Sequence, residues 1–173
     1  MLLEHYSTEP LVWPPRDYKQ DRERGGMWMF KPVGLWVSVP GDDDWPAWCQ
    51  SEEFKTEHLT VCTQVILKPE ANLRVITNED EIIAFDREYG EEVPLAPKFD
   101  RHFINWDKVA ENYDGIVIAP YIWSCRLPME LHTPRHKVSD WYYPWDCASG
   151  CIWNGTKAIE AFKIVERTAL AAE

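Results

Sequence analysis

Lys31-Pro32-Val33-Gly34-Leu35-Trp36-Val37-Ser38-Val39 is a short β-branched and aromatic run with turn residues on both sides, Gly25-Gly26 before it and Pro40-Gly41 with an Asp triplet after it. That pattern predicts a strand bounded by turns. Alternation puts Leu35, Val37 and Val39 on one face and Gly34, Trp36 and Ser38 on the other. A face carrying a glycine, an indole and a hydroxyl suits the floor of a site for a flat ligand. The glycine lets the backbone approach, the ring stacks, and the hydroxyl hydrogen-bonds. The alternative is that Trp36 is a core tryptophan in a chain that has ten of them.

The other elements are laid out from this strand. Leu2–Thr8 reads as a first strand with Leu3, His5 and Ser7 on one face, followed by a proline- and charge-rich loop, expected to be flexible over about residues 9–27. A helix is predicted from Pro46 to Lys55 with Asp43 or Asp44 as N-cap, then strands Leu59–Leu67 and Leu73–Ile76 joined by a hairpin-like or corner connection. Asn78 starts a helix that Gly90 closes, and Asn105 caps another, Asn105–Tyr113, that turns through Asp114-Gly115 into a buried strand, Ile116–Ala119. Pro120–Asp140 is irregular, Trp141–Asp146 reads as an edge or interrupted strand, and Cys147–Trp153 as a turn with a short strand. A closing helix is expected over Ala158–Ala172, within a helical tail of about residues 157–173. The sum is a single α+β domain with a mixed or antiparallel sheet and short peripheral helices.

Composition bounds the function. Hydrophobic residues make up 45% and charged residues 27% of 173, which is globular rather than disordered. The net charge of −11 argues against a protein that tracks phosphates along nucleic acid. Five cysteines, an odd number, and an amino-terminal run without the basic start and apolar core of a targeting segment predict a reducing cytoplasm. No apolar run reaches the roughly 20 residues a membrane span needs.

Three groups of residues carry candidate chemistry. His5 and Ser7 share one strand face, Trp36 and Ser38 another, so adjoining strands would set a histidine and a stacking ring over one cleft. Cys125, His132, His136, Cys147 and Cys151 include ligand types for a tetrahedral zinc, but Pro134 breaks the helix that would align the histidines, and buried thiols in a loop region are the favoured reading. Trp141-Tyr142-Tyr143-Pro144-Trp145-Asp146 is either an aromatic minicore or a stacking surface that brings Trp145 and Asp146 to the cleft. Cys147 as a nucleophile with His5, His102 or His132 as base lacks any sequence feature that sets a histidine beside it.

The order of His5-Tyr6-Ser7-Thr8, Gly34-Leu35-Trp36-Val37-Ser38 and Tyr113-Asp114-Gly115-Ile116-Val117 resembles the ADP-ribosyltransferase fold in its histidine-then-aromatic branch. The resemblance covers about twenty residues. It departs from the family in having Trp36 where tyrosine is usual, and in lacking a clear match for the late glutamate, for which Asp146 and Glu130 are the nearest candidates. It implies a split sheet gripping NAD, as an NAD-dependent mono-ADP-ribosyltransferase or NAD glycohydrolase would. His5 and Ser7 would lie on the nicotinamide-ribose side, with Gly34 and Ser38 along the ligand and Trp36 and Trp145 as its aromatic contacts. Asp146 would be the electrostatic acid, and Arg16 or Arg22 would hold the diphosphate. A macromolecule or a small molecule would be the acceptor. The alternatives are a non-catalytic nucleotide- or protein-binding module of the same fold, or a phage or mobile-element factor that binds a host protein.

Overall fold

The computed structural model describes residues 1–20, 30–92, 102–126 and 141–165. The fold is a mixed α+β arrangement on one seven-stranded sheet, with a separate two-stranded ribbon. The strands are β1 (Glu4–Ser7), β2 (Leu35–Ser38), β3 (Val61–Leu67), β4 (Leu73–Ile76), β7 (Gly115–Ile118), β8 (Ser149–Ile152) and β9 (Ile159–Val165), with β5 (Gly90–Glu92) and β6 (His102–Ile104) forming the ribbon. Across the sheet the order is β4-β7-β8-β2-β1-β3-β9. Among the described strands only β4 and β7 run parallel, joined by a crossover that includes α2 (Glu79–Tyr89) and α3 (Trp106–Asn112).

The helix starts follow local chemistry. Asn78 accepts from the Glu81 amide at 3.0 Å and opens α2, while Glu81 reaches back to the Thr77 amide at 2.6 Å. Asp44 caps α1 (Trp45–Ser51) by accepting from the Ala47 amide, with Pro46 in the first turn where a missing N–H is harmless. Asn105 caps α3 in the same way, through the Lys108 amide. No helix among the described residues is long and apolar enough to cross a membrane.

Alternation along β2 falls as the sequence predicts, and it sorts the sheet into two faces. Trp36 packs, through Trp145, against the cluster that gathers α2, α3, Ile116, Ile118, Cys151 and the buried tryptophans. Leu35 and Val37 pack on the other face with Leu3, Val65, Val117, Ile152 and Ile159.

Several expectations are corrected. β3 and β4 do not form a hairpin, because the chain crosses from one side of the sheet to its far edge and β4 pairs with β7. Trp141–Asp146 forms turns rather than a strand: the Trp145 amide closes back on Tyr142 O at 2.8 Å, and the turn packs Trp141, Tyr142 and Trp145 fully buried in the aromatic cluster. Among the described residues of the expected closing helix, α4 (Gly155–Ala158) is the helical part, and Ile159–Val165 is a strand. Its β-branched Ile159, Ile164 and Val165 suit the open edge of β3, whose hydrogen bonds they complete. The β5–β6 ribbon lies between α2 and α3, in a stretch for which the sequence offered no strand.

The segment that follows β1 is tied down over its described part. The Tyr18 amide donates to Trp153 O at 2.8 Å, the Gln20 side chain exchanges two hydrogen bonds with Val33, and the Asp17 carboxylate accepts from both the amide and hydroxyl of Thr156. Residues 21–29 and the tail from 166 onward lie outside the described residues.

Candidate active site

β1 and β2 join the two halves of the sheet through a single register position, Glu4 opposite Ser38. Past that point the strands part. The contact that spans the gap is a side chain: His5 Nδ1 lies 2.8 Å from the Trp36 carbonyl oxygen. A carbonyl only accepts, so Nδ1 carries the proton and the lone pair is on Nε2. Burial pulls the His5 pKa below its ordinary value, against the opposing effect of that hydrogen bond, so the ring is neutral near pH 7.

A cavity of about 310 Å³ opens at this parting, walled by the consecutive residues Glu4-His5-Tyr6 of β1 and Trp36-Val37-Ser38 of β2. Lys31, Trp45, Asp146, Cys147 and Ser149 complete it. The volume is at the low end of ligand sites, which run from about 300 to 1,000 Å³. Because Glu4 faces Ser38, alternation sets Glu4 and Tyr6 on the Trp36 face of the sheet and His5 on the Val37 face. His5 and Trp36 therefore meet through the gap rather than side by side on one face.

The cavity holds two carboxylates. Asp146 is bracketed by Lys31 Nζ at 3.4 Å and Arg126 Nη2 at 3.8 Å, one to each oxygen. Glu4 is buried and accepts the Tyr6 hydroxyl at 2.6 Å. Burial, reinforced by that hydrogen bond to Glu4, pushes the Tyr6 pKa far up and keeps the phenol a donor. Ser38 Oγ accepts from the Trp45 amide at 3.0 Å, which ties α1 to the cavity wall and leaves the hydroxyl hydrogen to donate. Burial raises the Cys147 thiol to about 12, so it is not the thiolate a nucleophile requires.

Of the residues singled out from sequence, His5, Trp36, Ser38, Asp146 and Cys147 line the cavity together. Four others do not. Trp145 is fully buried beneath Trp36, with ring centroids 4.9 Å apart, so it supports the stacking ring and offers no face of its own. At Gly34, a Cβ would stand 2.6 Å from both Cys151 Sγ and Ile152 O, so β8 fills the space read as room for a ligand. Ser7 donates to Glu9 O at 2.6 Å and lies off the cavity wall. Arg16 borders a separate recess with Leu11, Tyr18, Leu35 and Phe162.

Among the described residues no three His, Cys, Asp or Glu side chains gather as a metal site, and Cys125, Cys147 and Cys151 are free and buried. His132, His136, Glu130 and Arg22 lie outside the described residues. Sequence reasoning missed Glu4, Tyr6, Lys31 and Trp45. Glu4 and Tyr6 flank His5, but only the register with Ser38 turns them toward Trp36.

Comparison with protein-family models, with curated proteins and with solved structures found no match for this chain.

Proposed function

We propose that the protein cleaves the nicotinamide–ribose bond of NAD and transfers ADP-ribose to an acceptor, or to water, as an enzyme with an ADP-ribosyltransferase-like fold. The observation that carries the reading is the parting between β1 and β2, where His5, Trp36, Ser38 and Asp146 border one cavity. Its supports are chemical. A neutral His5 with Nδ1 committed to Trp36 O offers Nε2 as acceptor for a ribose hydroxyl. Trp36 offers an indole face for a flat ring. Cleavage of an N-glycosidic bond builds positive charge on the ribose, and a carboxylate fixed beside it lowers that barrier. Asp146 takes this role, with Glu4 as the second carboxylate of the cavity. Five buried free thiols fit work in a reducing compartment such as the cytoplasm.

A second reading, a nucleotide-binding module without catalysis, is favoured by one observation. Lys31 and Arg126 bracket Asp146 and offset the negative charge that the chemistry needs. Chromatography of nicotinamide released from NAD separates the two. The enzyme reading expects release by the parent protein, reduced about 100-fold or more in His5→Ala and Asp146→Ala. Release that survives Asp146→Ala moves the acid role to Glu4, which Glu4→Gln then tests. No release, with cell lysate supplied as acceptor, leaves the binding module.

A further inference from the structure

Lys31 is the only cation among the described residues that line the cavity. Its ammonium does two things there. It lies 5.2 Å from the centroid of the Trp36 ring and 3.4 Å from Asp146 Oδ2. An ammonium within about 6 Å of an indole face is held by the ring's negative quadrupole. The ring and the carboxylate thus form a subsite already satisfied by a positive charge.

We propose that Lys31 is a resident stand-in for the ligand: it occupies the place on Trp36 and beside Asp146 that a flat, positively charged ring takes, so the subsite selects a pyridinium-type cation over a neutral ring. The inference rests on the NAD reading and deepens it, since the ring of NAD carries this charge and that of NADH does not.

The surroundings suit an exchange of one cation for another. Lys31 ends a flexible four-carbon stem, and its side chain is 34% exposed, so the ammonium has a route to water. Neither of its partners depends on it for position. Trp36 rests on Trp145, with ring centroids 4.9 Å apart, and Asp146 keeps Arg126 at 3.8 Å on its other oxygen. Arg126 is itself set 5.5 Å over the Trp123 ring, and it does not line the cavity. A cationic ring entering the site replaces both interactions that Lys31 gives up. A neutral ring recovers the stacking and leaves the carboxylate short of a partner.

The test is calorimetric binding of two ligand pairs that differ in ring charge, NAD against NADH and 1-methylnicotinamide, methylated on the ring nitrogen, against nicotinamide. The proteins compared are the parent, Lys31→Met and Lys31→Arg. Methionine keeps the stem and removes the charge. With the internal competitor gone, Lys31→Met tightens the charged member of each pair by about fivefold, and the neutral member by less, while Lys31→Arg behaves as the parent. Weaker or unchanged binding of the charged ligands by Lys31→Met overturns the proposal, because Lys31 would then be holding the ligand or ignoring it. The two readings fail separately. If 1-methylnicotinamide follows the expected pattern and NAD does not bind, the NAD reading falls and the subsite stands. If NAD binds equally well to parent and Lys31→Met, the subsite proposal falls and the NAD reading stands. If no protein binds any of the four, both fall.

Discussion

His5 and Asp114 show how differently two polar groups are used in one sheet. His5 borders a cavity and holds one nitrogen in reserve. Asp114 is fully buried and serves the fold alone: its carboxylate accepts from the Asn72 amide at 3.0 Å, Asn154 Nδ2 at 3.1 Å and Lys157 Nζ at 2.8 Å. Its carbonyl takes the amides of Trp153 and Asn154 as well. Burial alone would raise the Asp114 pKa, but the hydrogen bonds from Lys157, Asn72 and Asn154 outweigh it and hold the group below its ordinary value. A depressed carboxyl stabilises the fold in full above the unfolded-chain value of about 4, and that contribution is lost as pH falls through the lower folded value. Asp114→Asn is therefore expected to cost about 2–3 kcal/mol at pH 7 and to flatten the loss of stability below pH 4. Urea unfolding at pH 7 and across pH 2–5 measures both, and an unchanged acid slope in the variant would remove Asp114 from this role.

Among the elements, the β2–β8 pair is the tightest constraint near the site. Its ladder runs Leu35–Ser38 against Ile152–Ser149, and Gly34, just before it, sits against β8 where there is no room for a Cβ. Gly34→Ala is expected to lower stability by about 1–3 kcal/mol through overpacking. Adding Cys151→Ala recovers only part of that loss, because the backbone oxygen of Ile152 is as close as the sulfur. A shift in urea midpoint reports it, and full recovery in the double variant would contradict the backbone clash. Legibility at this scale followed the source of each signal. Caps at Asp44, Asn78 and Asn105 and the period-two run of β2 are local, so they were readable. The run from Ile159 reads as helix in the sequence because its apolar residues fit either period. The open edge of β3, far away in sequence, settled it as a strand.

Across the whole molecule, an aromatic core holds the site's floor in place. Trp36 sits on Trp145, which meets Trp106 at 6.3 Å and Trp141 at 6.1 Å, and Trp106 in turn meets Phe85 and Trp153. Among the described residues the indole N–H groups of Trp106 and Trp145 have no hydrogen-bond partner, so shape and buried area hold these two rings, while Trp141 and Trp153 donate to Asp86 and to Tyr113 O. Trp145→Ala is expected to destabilise by about 3–5 kcal/mol and to loosen ligand binding at Trp36, whereas Trp145→Phe, which also removes an unpaired N–H, loses well under half of that. Chemical denaturation of the two variants side by side checks the ordering. Equal losses would mean that the N–H, not the ring, matters.

The sequence alone determined the faces of β2, the capped helices, the acidic and thiol-bearing character of the chain, and the pairing of His5 with Trp36 as the residues to watch. These are properties of neighbours along the chain, and periodicity and caps report them. Which carboxylates meet those residues, that Lys31 stands between Trp36 and Asp146, and that Gly34, Trp145, Arg16 and Ser7 do other work were decided only by the tertiary structure. The reason is register. A single paired position between β1 and β2 turns Glu4 and Tyr6 toward Trp36, and contacts across 31 to 115 residues of chain, from His5–Trp36 to Lys31–Asp146, have no local pattern to announce them.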